Sequence, residues 1–286
     1  MTKRITAIAG NALTDLTRQK VFYLLLIFGL VLIASSVFLA RFSFQQEFQI
    51  LKDVSLGAMS LFTSILAIVA TARLIPQDIE DRTVYTILAR PVPRFQYLLG
   101  KLFGVLALLA LSLAAMTAFF AIVIYMREQT VLHETARQMS GAPREQLSDA
   151  LNQIRSSGLR SDLFLGIAVI FLRACLLAAL TLFISTFAST NIFTILVMVA
   201  VYFIGHLEST AREYWLTQQG AGWVAKSFLA LVALLFPDLQ AFNFVDQIVG
   251  GAAIPLALFA KTAVLGVFYI AIYTMAAIFV FYGKEL

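Results

Sequence analysis

The chain has 286 residues, 60% of them hydrophobic and 13% charged, with 25 Phe and a formal net charge of +5. A soluble domain carries about 45–50% apolar and about 25% charged residues, so this composition excludes an ordinary water-soluble globule and points to an integral membrane protein. The single cysteine, Cys175, excludes a disulfide framework or thiolate metal cluster within one chain, and the modest positive charge fits the Lys/Arg bias of cytoplasmic loops rather than a nucleic-acid surface.

Residues 1–20 read as an amphipathic helix. Ile5, Ile8, Ala12 and Leu16 recur at helical spacing, with Lys3, Arg4, Asp15 and Arg18 among the polar positions. Such a helix lies in the membrane interface or extends the first span into the cytoplasm. The segment is too polar for a cleaved signal peptide, and a full-length apolar run follows it. A span needs about 20 mostly apolar residues. Six are predicted, at 21–40, 55–75, 98–126, 163–188, 190–207 and 256–282. The fourth and fifth form one apolar run that as a single helix would reach roughly 67 Å, about twice the bilayer. It is predicted to break into a tight hairpin at Ser189, Thr190 and Asn191, whose short polar side chains compete for backbone hydrogen bonds.

Residues 127–162 form the largest polar loop and are predicted to carry a small external helical cap, broken at Gly141-Ala142-Pro143 and again near Gly158. Residues 208–255 read as an external or re-entrant segment. Within it the run GWVAKSFLALVALLF (222–236) contains Lys226, ends at Pro237 and is predicted not to span. In FPDLQAFN (236–243), Pro237 and Asp238 read as a turn and helix cap. Six spans place both termini on one side. Lys and Arg divide evenly between the two sides, but those on the side of the termini are denser and closer to the span ends, which assigns that side to the cytoplasm.

Between the second and third spans lies DIEDRTVYTILARPVPR (78–94). Pro76 suits a first helical turn, and Asp78, Glu80 and Asp81 follow where the helix dipole favours anions. Val84, Ile87 and Leu88 make an apolar patch, and Arg90-Pro91-Val92-Pro93-Arg94 ends the helix, because residues before proline avoid helical geometry. The segment reads either as a solvated loop with an interfacial helix or as a charged docking helix for a soluble partner.

The string from Ile79 to Arg94, followed by Leu99-Gly100-Lys101, resembles the loop between the first two span pairs of ABC-type export permeases. Its nearest look-alikes are permeases of multicopper-enzyme maturation, including that of the nitrous oxide reductase maturation transporter. Glu80, Thr83, Pro91, Arg94 and Lys101 match that pattern, whereas Arg82 stands where many relatives carry Gly and Pro93 where Ser is common. The resemblance implies that residues 77–89 are a cytoplasmic coupling helix, with Asp78, Glu80, Asp81, Arg82, Thr83, Tyr85, Arg90 and Arg94 coupling to a separate ATPase. It implies a pore of two permease copies above two ATPase subunits that hold the ATP and Mg. The fold class implied is all-α integral membrane: six transmembrane helices, an N-terminal interfacial helix, the coupling helix and a short non-spanning helix before the last span. The setting implied is a bacterial cytoplasmic membrane with both termini inside.

The chain itself has no G-x-x-x-x-G-K-S/T, no H-E-x-x-H and no G-x-S-x-G, so it is expected to be neither an ATPase nor a hydrolase, and to hold no metal or cofactor of its own. For the transport path the candidates start with Arg173, near the middle of the fourth span, where an ionisable group is a functional hypothesis by default. It would meet an anionic lipid or substrate headgroup, or serve as a structural tie to carbonyls, a Tyr, or an acid at a span end on a neighbouring helix. Asn191, Thr194, Met198, Tyr202 and His206 share one face of the fifth span, turned toward other helices, a cavity or the dimer interface. Ser60, Ser64 and Thr71 form a looser stripe on the second span. His206 has no partners in sequence that would make it a metal ligand.

The leading expectation is therefore the membrane subunit of an ABC exporter. The alternatives are an ion-coupled transporter or channel, disfavoured by the lack of midplane acids, and a non-transporting membrane assembly factor. Membrane lipid is an expected partner, nucleic acid is not, and a further extracytoplasmic partner is left open.

Overall fold

The computed structural model describes residues 2–40, 46–81, 93–140, 143–158, 161–188, 190–217, 237–251 and 254–283. The regular elements among them are all helical: α1 (Thr2–Thr17), α2 (Lys20–Ala40), α3 (Glu47–Ala72), α4 (Leu74–Glu80), α5 (Arg94–Gln138), α6 (Arg144–Ser157), α7 (Ser161–Phe187), α8 (Asn191–Thr217), α9 (Val245–Val249) and α10 (Leu256–Tyr282), with a 3₁₀ turn at Gln240–Phe242.

Five helical stretches are long and apolar enough to cross a membrane: Lys20–Ala40, Glu47–Glu80, Arg94–Gln138, Asp162–Phe187 and Leu256–Tyr282. The predicted span at 190–207 is helical, but its apolar part, Asn191–Leu207, is the shorter kind. At 1.5 Å per residue it covers roughly 26 Å, less than the ~30 Å of hydrocarbon. Among the described residues, length and composition therefore give five crossing helices, and the predicted count of six is not confirmed.

The bundle is built around α3 and α7. In each, 72% of the most apolar window is buried, against 22% for α2 and 28% for α10. The reason is side-chain size. α3 carries Ser55, Ala58, Ser60, Ser64, Ala67 and Ala70 among its buried positions, and small residues let helix backbones approach where no water drives association. Their hydroxyls are satisfied within the helix: Ser64 Oγ donates to the Ser60 carbonyl at 2.6 Å, and Thr181 Oγ1 in α7 donates to the Leu177 carbonyl at 2.6 Å. Around this pair, α2 packs on α3, α10 on α7, and α5 on both. The outer faces of α2, α8 and α10 are lined by Leu24, Phe28, Leu196, Phe203, Phe268 and Phe279, all exposed, as suits a lipid-facing surface.

The chain breaks where short polar side chains stand. α7 ends at Phe187 and α8 begins at Asn191, and Thr190 Oγ1 accepts the Phe193 N–H at 3.3 Å as an N-cap. Ser189 lies outside the described residues, as does the run 222–236. Asp238 caps the 3₁₀ turn, accepting the N–H groups of Gln240 and Ala241 at 2.9 and 3.3 Å.

One boundary differs from expectation. The third span was placed at 98–126, with a loop after it, but α5 runs unbroken to Gln138. Its 45 residues make a rod of about 67 Å. Residues 127–138 contain neither Gly nor Pro, so the end of the apolar sequence ends the hydrocarbon crossing without ending the helix. The region 127–162 is thus a helical hairpin in which α6 folds back until Gly158 abuts the Glu128 carboxylate. Of the helix placed at 77–89 only residues up to Asp81 are described; they end α4, which begins at Leu74, almost continuous with α3, and has Pro76 in its first turn. Pro76 lacks the N–H that would bond Ala72, and its ring crowds that carbonyl, which explains the interruption at Arg73.

α1 is separate from α2 and lies along the first turns of α5, with Ala12 and Leu16 buried. Close approach rests on two glycines four apart on one face of α5. A Cβ on Gly104 would stand 2.7 Å from the Ala12 Cβ and 2.9 Å from the Ala9 carbonyl oxygen, and one on Gly100 would stand 2.7 Å from the Ile8 Cβ. Gly104→Leu is expected to push α1 off α5 at a cost of about 2 kcal/mol, the range for overpacking a close contact. Faster tryptic cleavage at Arg18 and Lys20 in intact membranes measures the release, and cleavage at the wild-type rate would refute it.

Candidate functional site

Two polar sites stand out in the bundle. The first joins α4, α5 and α10 at one end. Arg94, Tyr97 and Lys101 recur at helical spacing along one face of the first turns of α5. The Lys101 ammonium is buried, 2.6 Å from Asp78 Oδ2, and the Tyr97 hydroxyl donates to the same carboxylate oxygen. The Tyr97 ring stacks on Phe281 of α10 at 5.9 Å, with Lys101 Nζ 5.8 Å from the ring centre. One turn earlier, Arg94 Nη1 donates to the carbonyls of Phe281 and Tyr282 at 3.1 and 2.8 Å. A cation there satisfies carbonyls that the last turn of a helix leaves open and faces the negative end of its dipole. α4 is thereby locked to α5, and α5 to the end of α10.

This geometry changes the expected role of two residues. Asp78 does not gain from a helix N-terminus, since it lies in the second half of α4; Lys101 and Tyr97 hold it. Asp78 and Arg94 both face into the chain and are not free for a partner. Glu80 and Asp81 are exposed. Arg82, Thr83, Tyr85 and Arg90 lie outside the described residues, as does the rest of the 77–89 segment beyond Asp81. Beside the lock, a polar cavity of about 410 Å³ opens between α1 and α4, bordered by Asp15, Arg18, Arg73, Gln77 and Asp81.

The second site lies mid-bundle. Arg173, midway along α7, is 4% exposed. Its Nη2 donates to Ser64 Oγ of α3 at 3.3 Å and to the Tyr202 hydroxyl of α8 at 3.1 Å. The guanidinium carbon lies 5.7 Å from the centre of the Tyr202 ring. Tyr202 and His206 follow one another on α8 with ring centres 4.4 Å apart, and His206 Nδ1 lies 3.0 Å from the Tyr202 carbonyl. Gln240 Nε2 reaches the His206 carbonyl at 3.5 Å, next to the Asp238 cap. A line of polar groups thus leads from the centre of the bundle to the end opposite α4.

Of the other predicted path residues, Thr194 and Met198 are buried and Asn191 is half-buried on the inner face of α8, while Ser60 is buried in α3. The exposed face of α8 lies to one side of it, carrying Ile192, Leu196, Val199 and Phe203. The polar face of α8 therefore packs within the protomer. Among the described residues no group of three or more His, Cys, Asp or Glu could hold a metal ion.

Sequence reasoning did not single out Tyr97, or the pair at the far end in which Arg127 Nη2 of α5 meets Glu47 Oε2 at the start of α3 at 2.7 Å. The available signal was a Lys just inside one apolar run and an Arg at its other end, each of which needs an acid on a neighbouring helix end.

The lock makes a prediction about stability. Asp78→Ala leaves the Lys101 charge buried and unpaired, and removing one partner of a buried pair costs about 3 kcal/mol. Asp78→Ala combined with Lys101→Met is expected to recover most of that loss, because the stranded charge is gone. Thermal unfolding of the four proteins in one detergent gives the coupling energy, and additive losses would argue against a lock.

Against known proteins, residues 14–140 match the model of a family described as ABC-2 family transporter protein. The match covers less than half of the chain and runs from the last turn of α1 to the end of α5, taking in Asp78, Tyr97, Lys101 and the Glu47–Arg127 pair. No curated protein resembles the chain closely enough to count as a match. Over α2–α5 the chain is thus similar to ABC-2 transporter proteins, and its long apolar helices support an integral membrane protein.

Proposed function

We propose that the chain is the membrane subunit of an ATP-driven exporter, that two copies form the translocation path, and that the segment 77–89 docks on a separate ATPase subunit in which ATP and Mg are bound. The observation that carries this reading is the Asp78–Lys101–Tyr97 lock within the matched family region. Residues 82–92 connect two helices that this lock ties together, and Arg94 ties the second of them to α10. A load applied to that connection would reach α3, α5 and α10 together, which is what coupling between an ATPase and a set of spans requires. The exposed Glu80 and Asp81 are the charges on offer beside it. ABC-2 permeases act with an ABC ATPase in general, and this chain has no P-loop of its own.

The direction of transport, the dimer, the bacterial cytoplasmic membrane and the cytoplasmic position of both termini belong to the same proposal. The likeness of residues 79–101 to permeases of multicopper-enzyme maturation supports the same reading of its setting.

Tagged protein purified in mild detergent is expected to bring down a stoichiometric P-loop ATPase with vanadate-sensitive hydrolysis. A lone permease without ATPase activity, in several detergents, would overturn the proposal. In the complex, Glu80→Arg is expected to lower transport per ATP hydrolysed by about tenfold while the permease stays folded, as charge reversal at a docking face does. Unchanged coupling in that variant would remove residues 77–89 from the interface.

A further inference from the structure

Arg173 is the side chain whose position is hardest to account for by packing alone. It lies near the middle of a 27-residue apolar helix and is 4% exposed. Arg173 belongs to neither the Lys101–Asp78 nor the Arg127–Glu47 ion pair. The sequence contains no Asp or Glu from 163 to 207, from 54 to 77, from 95 to 127 or from 256 to 282, so none of the apolar helices around Arg173 offers an acid at its depth. A guanidinium has five N–H donors and a full charge. Here it finds two neutral hydroxyls, both through Nη2, and the face of one ring. Its Nε is buried without an acceptor. If Arg173 only tied three helices together, a neutral amide would do so without the cost of a charge in hydrocarbon.

Tyr202 and His206 are half-buried and lead from Arg173 toward the end of the bundle at Asp238. Beside them the exposed ridge of Leu196, Val199 and Phe203 faces outward along the same helix.

We propose that Arg173, with Ser64 and Tyr202 orienting its guanidinium, is a binding point for a phosphate oxyanion that reaches mid-bundle along α8. Phosphate suits the site because a guanidinium presents parallel N–H donors that match two oxygens of one phosphate, and two hydroxyls alone leave that fork unfilled. The adjoining apolar ridge fits a phosphate carried on a lipid or other amphiphile. The inference rests on the reading of the chain as a permease only in taking α3, α7 and α8 to lie in a bilayer. It is tested on the chain alone, so its failure and the absence of an ATPase partner are separate results.

The full chain is reconstituted in nanodiscs of phosphatidylcholine with a rising share of phosphatidylglycerol, and in phosphatidylcholine alone with added inorganic phosphate. The unfolding midpoint is read in each. A bound anion is expected to raise it by about 3 °C with saturation. A rise with phosphatidylglycerol alone supports a lipid-borne phosphate, and a rise with inorganic phosphate supports the same site with a soluble ligand. Arg173→Gln, which keeps hydrogen-bonding capacity toward Ser64 and Tyr202, is expected to abolish the rise. Arg173→Lys is expected to keep it at several-fold weaker affinity. Lys261→Gln, at an exposed cation on α10, is expected to leave it unchanged. No rise in the wild type under either condition overturns the proposal. So does an undiminished rise in Arg173→Gln or, if that variant does not fold, undiminished affinity in Arg173→Lys.

Discussion

Lys101 stands inside the first turns of an apolar helix, where its charge has no water to meet, and the arrangement at one end of the bundle follows from the 2.6 Å contact it makes with Asp78. The acid that serves it comes from α4, the short continuation of α3 past the break that Pro76 imposes. The same carboxylate takes the Tyr97 hydroxyl, and Tyr97 stacks on the end of α10. Three helices distant in sequence are thereby held in one register by a single buried ion pair and the ring beside it. At the opposite end Arg127 and Glu47 do the same for α5 and α3, so α5 is pinned near both of its hydrocarbon boundaries.

Within a bilayer the usual order of forces is altered. Apolar burial does not distinguish helix–helix contact from helix–lipid contact, so close approach and internal satisfaction of polar groups decide which helix lies inside. α3 and α7 are central because their small side chains permit close packing and hydroxyls such as those of Ser64 and Thr181 bond within their own helices. α1 joins the assembly by the same principle, lying where Gly100 and Gly104 leave room for Ile8 and Ala12. Arg173 is satisfied only in part, with two neutral acceptors and an Nε without one, and it stands where α3, α7 and α8 meet.

Much of this was legible in the chain. Apolar run length gave the class of protein, the hairpin break near Thr190, the amphipathic character of residues 1–20 and the isolation of Arg173 from any acid. The reading failed where the end of apolar sequence was taken as the end of a helix: α5 continues through REQTVLHETARQ because nothing in that stretch stops a helix. It failed differently for Asp78 and Arg94. Both looked like charges offered outward, and both are consumed by contacts with residues far along the chain, Lys101 and the carbonyls of Phe281 and Tyr282.

The sequence by itself determined that this is a helical membrane protein with a charged connection after its second apolar run, because hydrocarbon thickness and backbone hydrogen bonding leave no other use for such runs. Only the tertiary structure decided which charges are spent internally and which face outward, which face of α8 turns inward, and that Arg173, Ser64 and Tyr202 meet. Those outcomes depend on the rotation and register of helices separated by up to 188 residues, between Arg94 and Tyr282, and local periodicity places a residue on a face without saying what that face will touch.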